Sequence, residues 1–151
     1  MLLDFHGLKS SVCLFVALTG VVSATQAAEP ESPQQVKGAI KVSAEEVFSL
    51  FEKTPGLVII DSRLASGPSS GRANGYIEGS LSLPDSETSC PSLAKAIPRK
   101  TTPILFYCNG PKCGRSEKAI KVALKCGYNK LYWFRGGFEE WLNKGYPFVK
   151  P

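Results

Sequence analysis

Three runs of unbroken apolar, β-favouring residues punctuate the chain: Leu57 to Ile60, Pro103 to Tyr107 and Leu131 to Phe134. Runs of this length suit strands buried on both faces, the kind found in parallel sheets. Between them the period changes. Ser43-Ala44-Glu45-Glu46 is an S-x-x-E capping box, whose hydroxyl and carboxylate satisfy free N–H groups at a helix start. Val47, Leu50 and Phe51 then give that helix an apolar face. Ile120, Ala123 and Leu124 do the same for 116–126, and Phe138 to Asn143 forms a last helix between Gly136-Gly137 and Gly145. Ser80 to Leu83 reads as a short strand stopped by Pro84, and Pro91 to Ala96 as a short helix. Between Ser62 and Asn74 runs a Gly/Ser/Pro-rich loop. Strands alternating with helices predict an α/β domain with a central, mostly parallel sheet flanked by helices.

The N-terminus breaks this pattern. Val12 to Val22 is an apolar run, short for a membrane span, preceded by Lys9 and followed by small and polar residues ending in Ala27-Ala28. That is the pattern of a secretory signal peptide over 1–28. Glu29 to Val36, polar and proline-containing, reads as a solvated linker, and 37–151 as the folded domain. The expectation is therefore a periplasmic or secreted protein with no stable membrane span once the leader is removed.

Composition then narrows the chemistry. With 151 residues, 43% of them apolar, the chain suffices for one domain with its own core. The net charge of +5 is dispersed rather than blocked, which favours a small anionic ligand over nucleic acid. The one histidine, His6, lies in the leader. A mature chain without imidazole excludes Ser-His and Cys-His pairs and histidine metal sites, and there is no C-x2-C pair, so neither a metal nor a cofactor is expected.

What remains is the stretch Tyr107 to Ser116, YCNGPKCGRS, at the end of a predicted strand. In a parallel sheet, ligands bind at the carboxyl ends of the strands. Cys108 stands there as the candidate nucleophile. Gly110 and Gly114 are expected to let the backbone curl, so that Asn109, Gly110, Pro111, Lys112, Cys113, Gly114 and Arg115 form an anion cradle before a helix N-terminus. Such a cradle would lower the pKa of Cys108, with Lys112 and Arg115 adding charge. Cys113 is a second or resolving thiol. Asp61 and Arg63 are supporting residues, an ion pair more readily than catalysts. Cys126 is expected in the core and Cys90 is unassigned, with three full pairings of the mature cysteines open. Trp133 and Trp141 are expected as core aromatics.

Four stretches, in order, resemble the single-domain rhodaneses, a sulfurtransferase family. LVIIDSR (Leu57 to Arg63) resembles its strand ending in Asp-x-Arg, and GYIEGSLSLP (Gly75 to Pro84) its G-H-I-x-G-A-x-x-I-P stretch. Pro103 to Ser116 resembles its strand and cysteine loop, and GGFEEWLNKGYP its G-G-x-x-x-W-x-x-x-G-Y-P close. The resemblance implies a three-layer rhodanese-like domain. It also implies a ping-pong reaction in which Cys108 takes sulfane sulfur from a small anionic donor such as thiosulfate and passes it to a thiol or cyanide acceptor. Three positions depart from the family: Cys108 to Arg115 is C-x6-R rather than C-x4-R, Tyr76 replaces a common His, and Cys113 adds a thiol. The longer loop keeps two alternatives open: a redox or binding module using a Cys108–Cys113 disulfide, and an oxyanion phosphatase or arsenate reductase.

Overall fold

The computed structural model describes residues 31–66 and 71–151, so the expected leader lies outside the described residues. Five strands form one sheet: β1 (Ala39–Lys41), β2 (Val58–Asp61), β3 (Leu81–Ser82), β4 (Ile104–Tyr107) and β5 (Leu131–Phe134). Their order is β1-β5-β4-β2-β3, and every neighbouring pair is parallel. Among the described residues four α-helices flank it, α1 (Ala44–Lys53), α2 (Cys90–Ala96), α3 (Arg115–Lys125) and α4 (Gly137–Asn143), with one 3-10 turn at Gly71–Asn74. The sheet is the middle of three layers.

Strand alternation divides the core in two. Ile60, Ile104, Phe106, Leu131 and Trp133 face α2 and α3, where Leu93, Ile97, Ile120 and Ala123 cover them. Ile59, Leu105, Tyr107 and Phe134 face the opposite layer, with Val47 from α1 and Phe138 and Trp141 from α4. Successive residues of a strand point to opposite faces, so a strand between two helical layers must be apolar at every position. β4 meets that requirement fully, with all four of its residues buried.

The helices start where the sequence says they should. Ser43 caps α1 in a complete capping box with Glu46, and Ser89 caps α2 through Ser92. The strand β1 is not legible in the sequence: it has three residues, two of them exposed, and takes its register from β5 by pairing Ala39 with Leu131 and Lys41 with Trp133. An edge strand that short carries no period to read.

Two further expectations are corrected. Cys126 is not a free core thiol but is joined to Cys90, which ties the start of α2 to the end of α3. The sequence cannot pair cysteines thirty-six positions apart, because the pairing depends on how the two helices pack on the sheet. The stretch expected as a solvated linker is docked over 31–36: Ser32 and Val36 are buried, and Val36 joins the core beside α3. Arg135 holds this segment, donating to the carbonyls of Ser32 and Pro33 and pairing with Glu31. Among the described residues no helix is long and apolar enough to cross a membrane.

Candidate active site

β2 and β4 are neighbours, with Asp61 opposite Tyr107, yet the chain leaves them in opposite directions. From β2 it proceeds outward to β3, and from β4 through α3 toward β5. The diverging connections open a crevice at the carboxyl ends, the topological switch point of an open α/β sheet. Two groups of polar residues occupy it.

The first group is closed. Asp61, fully buried, accepts hydrogen bonds from Arg63 Nε at 2.8 Å, Arg63 Nη2 at 2.7 Å, Arg72 Nη1 at 3.0 Å, the Tyr107 hydroxyl at 2.7 Å and the Arg63 backbone N–H. Arg63 is itself buried, its guanidinium lying 4.4 Å from the centre of the Phe138 ring. Burial alone would lower its pKa, but the bonds to Asp61 outweigh this and raise it, so the charge persists inside. Burial likewise pushes the Tyr107 hydroxyl up, with Asp61 adding to the effect. Tyr107 is thus a neutral donor that ties the end of β4 to the end of β2. Arg72 stacks 3.9 Å above the ring of Tyr76, the residue at the family's histidine position, and Tyr76 pairs with Val149 in an antiparallel bridge.

The second group is the cysteine loop, and it is arranged differently from expectation. Cys108 ends β4 at 1% exposure, with its thiol donating to the Cys113 carbonyl at 3.0 Å and accepting from the Ser116 hydroxyl at 3.3 Å. Burial pushes the Cys108 thiol up, not down. Cys113 has the low value: the neighbouring Cys108 first, then the backbone N–H groups of Arg115 and Asn109, bring it to about 6 against burial. The helix N-terminus and loop dipoles do acidify a thiol, but it is the half-buried Cys113 rather than Cys108. Both cysteines are free.

The curl of the loop also has another cause. Neither Gly110 nor Gly114 has a positive φ. Gly110 lies close to α4, and a Cβ there would sit 2.6 Å from a Glu139 carboxylate oxygen and 3.4 Å from the Gly136 carbonyl. The loop is held from outside instead. Gly137, at φ +58, brings the start of α4 against the loop, where a Cβ would meet the Cys108 carbonyl at 2.3 Å. Phe138 and Glu139 donate their N–H groups to the carbonyls of Cys108 and Asn109. From the other side, Ser32 donates both its N–H and its hydroxyl to the Pro111 carbonyl, each at 2.7 Å.

A cavity of about 370 Å³ opens over this loop, lined by Asp85, Asn109, Lys112, Cys113, Gly114, Arg115 and Lys118. Cys113 faces it, while Cys108 lies beneath. Arg115 is not free to turn wholly to a ligand, because it pairs with Asp85 at 2.8 Å. Lys112 and Lys118 are exposed at the rim. A larger apolar cavity, about 520 Å³ beside Phe48, Phe51 and Trp141, brings no cysteine or basic side chain with it. Among the described residues no three His, Cys, Asp or Glu side chains group to hold a metal.

Three contributors escaped sequence reasoning. Ser116, read only as a helix start, is a buried relay: Trp133 Nε1 donates to its oxygen at 3.0 Å while its hydroxyl donates to Cys108. The signal for it was indirect, since a buried indole needs an acceptor. Asp85 and Ser32 gave no signal, because their partners Arg115 and Pro111 are thirty and seventy-nine positions away.

Known proteins share this architecture. The BH2092 protein from Bacillus halodurans superposes with a TM-score of 0.62 at 21% identity, over 74% of this chain and 77% of that one. The polysulfide-sulfur transferase homodimer from Wolinella succinogenes does so with a TM-score of 0.58 at 23% identity, over 74% and 79%. A thiosulfate sulfurtransferase from Pseudomonas aeruginosa matches with a TM-score of 0.58 at 23% identity, over 74% of this chain but 20% of its own. No curated protein matches in sequence. Residues 43–144 match the rhodanese-like domain, and with β2 to β5, the Asp61 and Cys108 strand ends and the Gly136-Gly137 close all falling inside that span, the chain belongs to the rhodanese-like domain family.

Proposed function

We propose that the chain is a sulfurtransferase in which Cys108 carries sulfane sulfur as a persulfide, taken from a small anionic donor such as thiosulfate and passed to a thiol or cyanide. The observation that carries the reading is the hydrogen-bonded Cys108 thiol at the switch point, beneath a cavity rimmed by Lys112, Arg115 and Lys118. The donor dianion enters against these cations. Cys113, whose thiol pKa is lowered to about 6 and which lines the cavity, accepts the Cys108 proton as the donor binds, a role for which the described residues offer no imidazole. Cys108 Sγ then attacks the outer sulfur of thiosulfate, the S–S bond of the donor breaks, and sulfite leaves with the bonding pair. The Ser116 hydroxyl steadies the anionic sulfur.

An oxidising location, periplasmic or extracellular, is part of the proposal, and the Cys90–Cys126 disulfide supports it. Reduced protein mixed with thiosulfate is expected to release about one equivalent of sulfite per chain, as one nucleophilic cysteine requires. Cys108→Ser is expected to release none. No sulfite from the wild type, or an undiminished burst from Cys108→Ser, defeats the reading. Turnover of a phosphate ester or arsenate with indifference to thiosulfate would move the chain to the oxyanion branch.

A further inference from the structure

Cys113 has a place that a single-cysteine sulfur carrier does not need. It lines the cavity, five positions after Cys108, and its backbone carbonyl accepts the hydrogen bond of the Cys108 thiol at 3.0 Å. Once Cys108 holds an extra sulfur, Sγ becomes the inner atom of the persulfide. The residue in the same loop that carries a second thiol, with its carbonyl 3.0 Å from that inner atom, is Cys113. The geometry points to Cys113 as a resolving thiol that discharges the Cys108 persulfide within the chain, releasing hydrosulfide and closing a Cys108–Cys113 disulfide.

The step balances. Cys113 thiolate attacks Cys108 Sγ, the bond between Sγ and the outer sulfur breaks, and the outer sulfur leaves as hydrosulfide with the bonding pair and its proton. The two electrons that reduce the sulfane sulfur come from the two cysteines, which are oxidised to the disulfide. An external dithiol must then reduce that bridge for a second turnover. Three features favour resolution inside the chain over direct transfer to an outside acceptor. Cys108 is 1% exposed, and it is Cys113 rather than Cys108 that lines the cavity. The Cys113 thiol pKa is lowered to about 6, by the neighbouring Cys108 first and by the N–H groups of Arg115 and Asn109 next, which favours the thiolate. And the carbonyl of Cys113 lies 3.0 Å from Cys108 Sγ, so the two residues are already packed together within the loop.

This inference rests on the persulfide reading above, and the experiment separates their failures. Reduced wild-type protein is mixed with thiosulfate under anaerobic conditions without added thiol, and sulfite, hydrosulfide and intact mass are followed together. Hydrosulfide is expected in a one-to-one ratio with sulfite, with the protein ending about 2 Da below its reduced mass, as one new disulfide requires. Cys113→Ser is expected to release sulfite more slowly, release no hydrosulfide and retain about 32 Da, the mass of one sulfur. A normal sulfite burst with the added sulfur retained by the wild type overturns the inference and leaves the persulfide reading standing. A Cys113→Ser variant that releases hydrosulfide like the wild type, or takes up no sulfur, overturns it also. Absence of the sulfite burst from the wild type overturns both.

Discussion

Asp61 and Cys108 end adjacent strands of one sheet, and the crevice uses them in opposite ways. At the end of β2 the carboxylate is saturated, with two arginines and a tyrosine hydroxyl converging on it and no exposure. Just past the end of β4 the thiol is also buried, but its partners are a carbonyl and a hydroxyl, and the residue that supplies the carbonyl, Cys113, lines a cavity. A saturated charge fixes geometry, because breaking it leaves an uncompensated ion in a low dielectric. A thiol with soft partners and a proton to exchange does chemistry. On the proposed reading the contrast separates a saturated carboxylate that holds the crevice open from a thiol that reacts within it, although Arg63 Nη1 on the closed side is itself without a hydrogen-bond partner among the described residues.

The largest effect expected on breaking this contrast belongs to the closed side. Asp61→Ala strands the buried Arg63 guanidinium and should cost about 3–5 kcal/mol in urea unfolding, with loss of the crevice. A cost under about 1 kcal/mol, the level of an exposed pair, would mean that the network does not hold the strand ends together. Next is the covalent tie behind the reactive loop. Replacing both Cys90 and Cys126 by Ser should cost about 2–4 kcal/mol through loss of the cross-link, with the sulfite burst of refolded protein unchanged. Loss of the burst from folded protein would show that the tie positions α3, and with it the loop, rather than only restraining the unfolded chain.

The smallest perturbation leaves the fold intact and tests the reactive side alone. Cys113 is lowered from the ordinary thiol value of 9.0 to about 6, so its thiolate forms as pH rises through about 6 and is already abundant at neutrality. Alkylation of Cys113 by iodoacetamide should therefore reach half its limiting rate near pH 6, with Cys108 unreactive over the same range because burial holds its proton. A midpoint near 9.0 for Cys113, or faster labelling of Cys108, would reverse the roles assigned to the two thiols.

Much of the molecule could be read without its structure, and the failures have a common source. The layers follow from local pattern: unbroken apolar runs made β2, β4 and β5, and the Ser43–Glu46 box made α1. The family followed from four motifs in order. Position Cys108 at a strand end was also legible, since a strand followed by a glycine-containing turn and a helix places it there. Its ionisation was not, because the pKa of a thiol depends on burial and on which sulfur the loop N–H groups meet. The Cys90–Cys126 bond, the Asp85 partner of Arg115 and the Ser32 clamp on Pro111 all join residues distant in sequence. Neither periodicity nor spacing carries such contacts. The linker expectation failed over 31–36 for the same reason, since polar composition says nothing about an arginine more than a hundred positions away that binds its carbonyls.

The central claim is that Cys108, the buried thiol at the end of β4, receives the sulfur. The most direct test is to expose Cys113→Ser protein to thiosulfate, quench it with an alkylating agent and measure the mass of the peptide spanning the loop. The account predicts an added mass of about 32 Da, one sulfur, located on Cys108. An unmodified Cys108 peptide, while sulfite has been released, would contradict it.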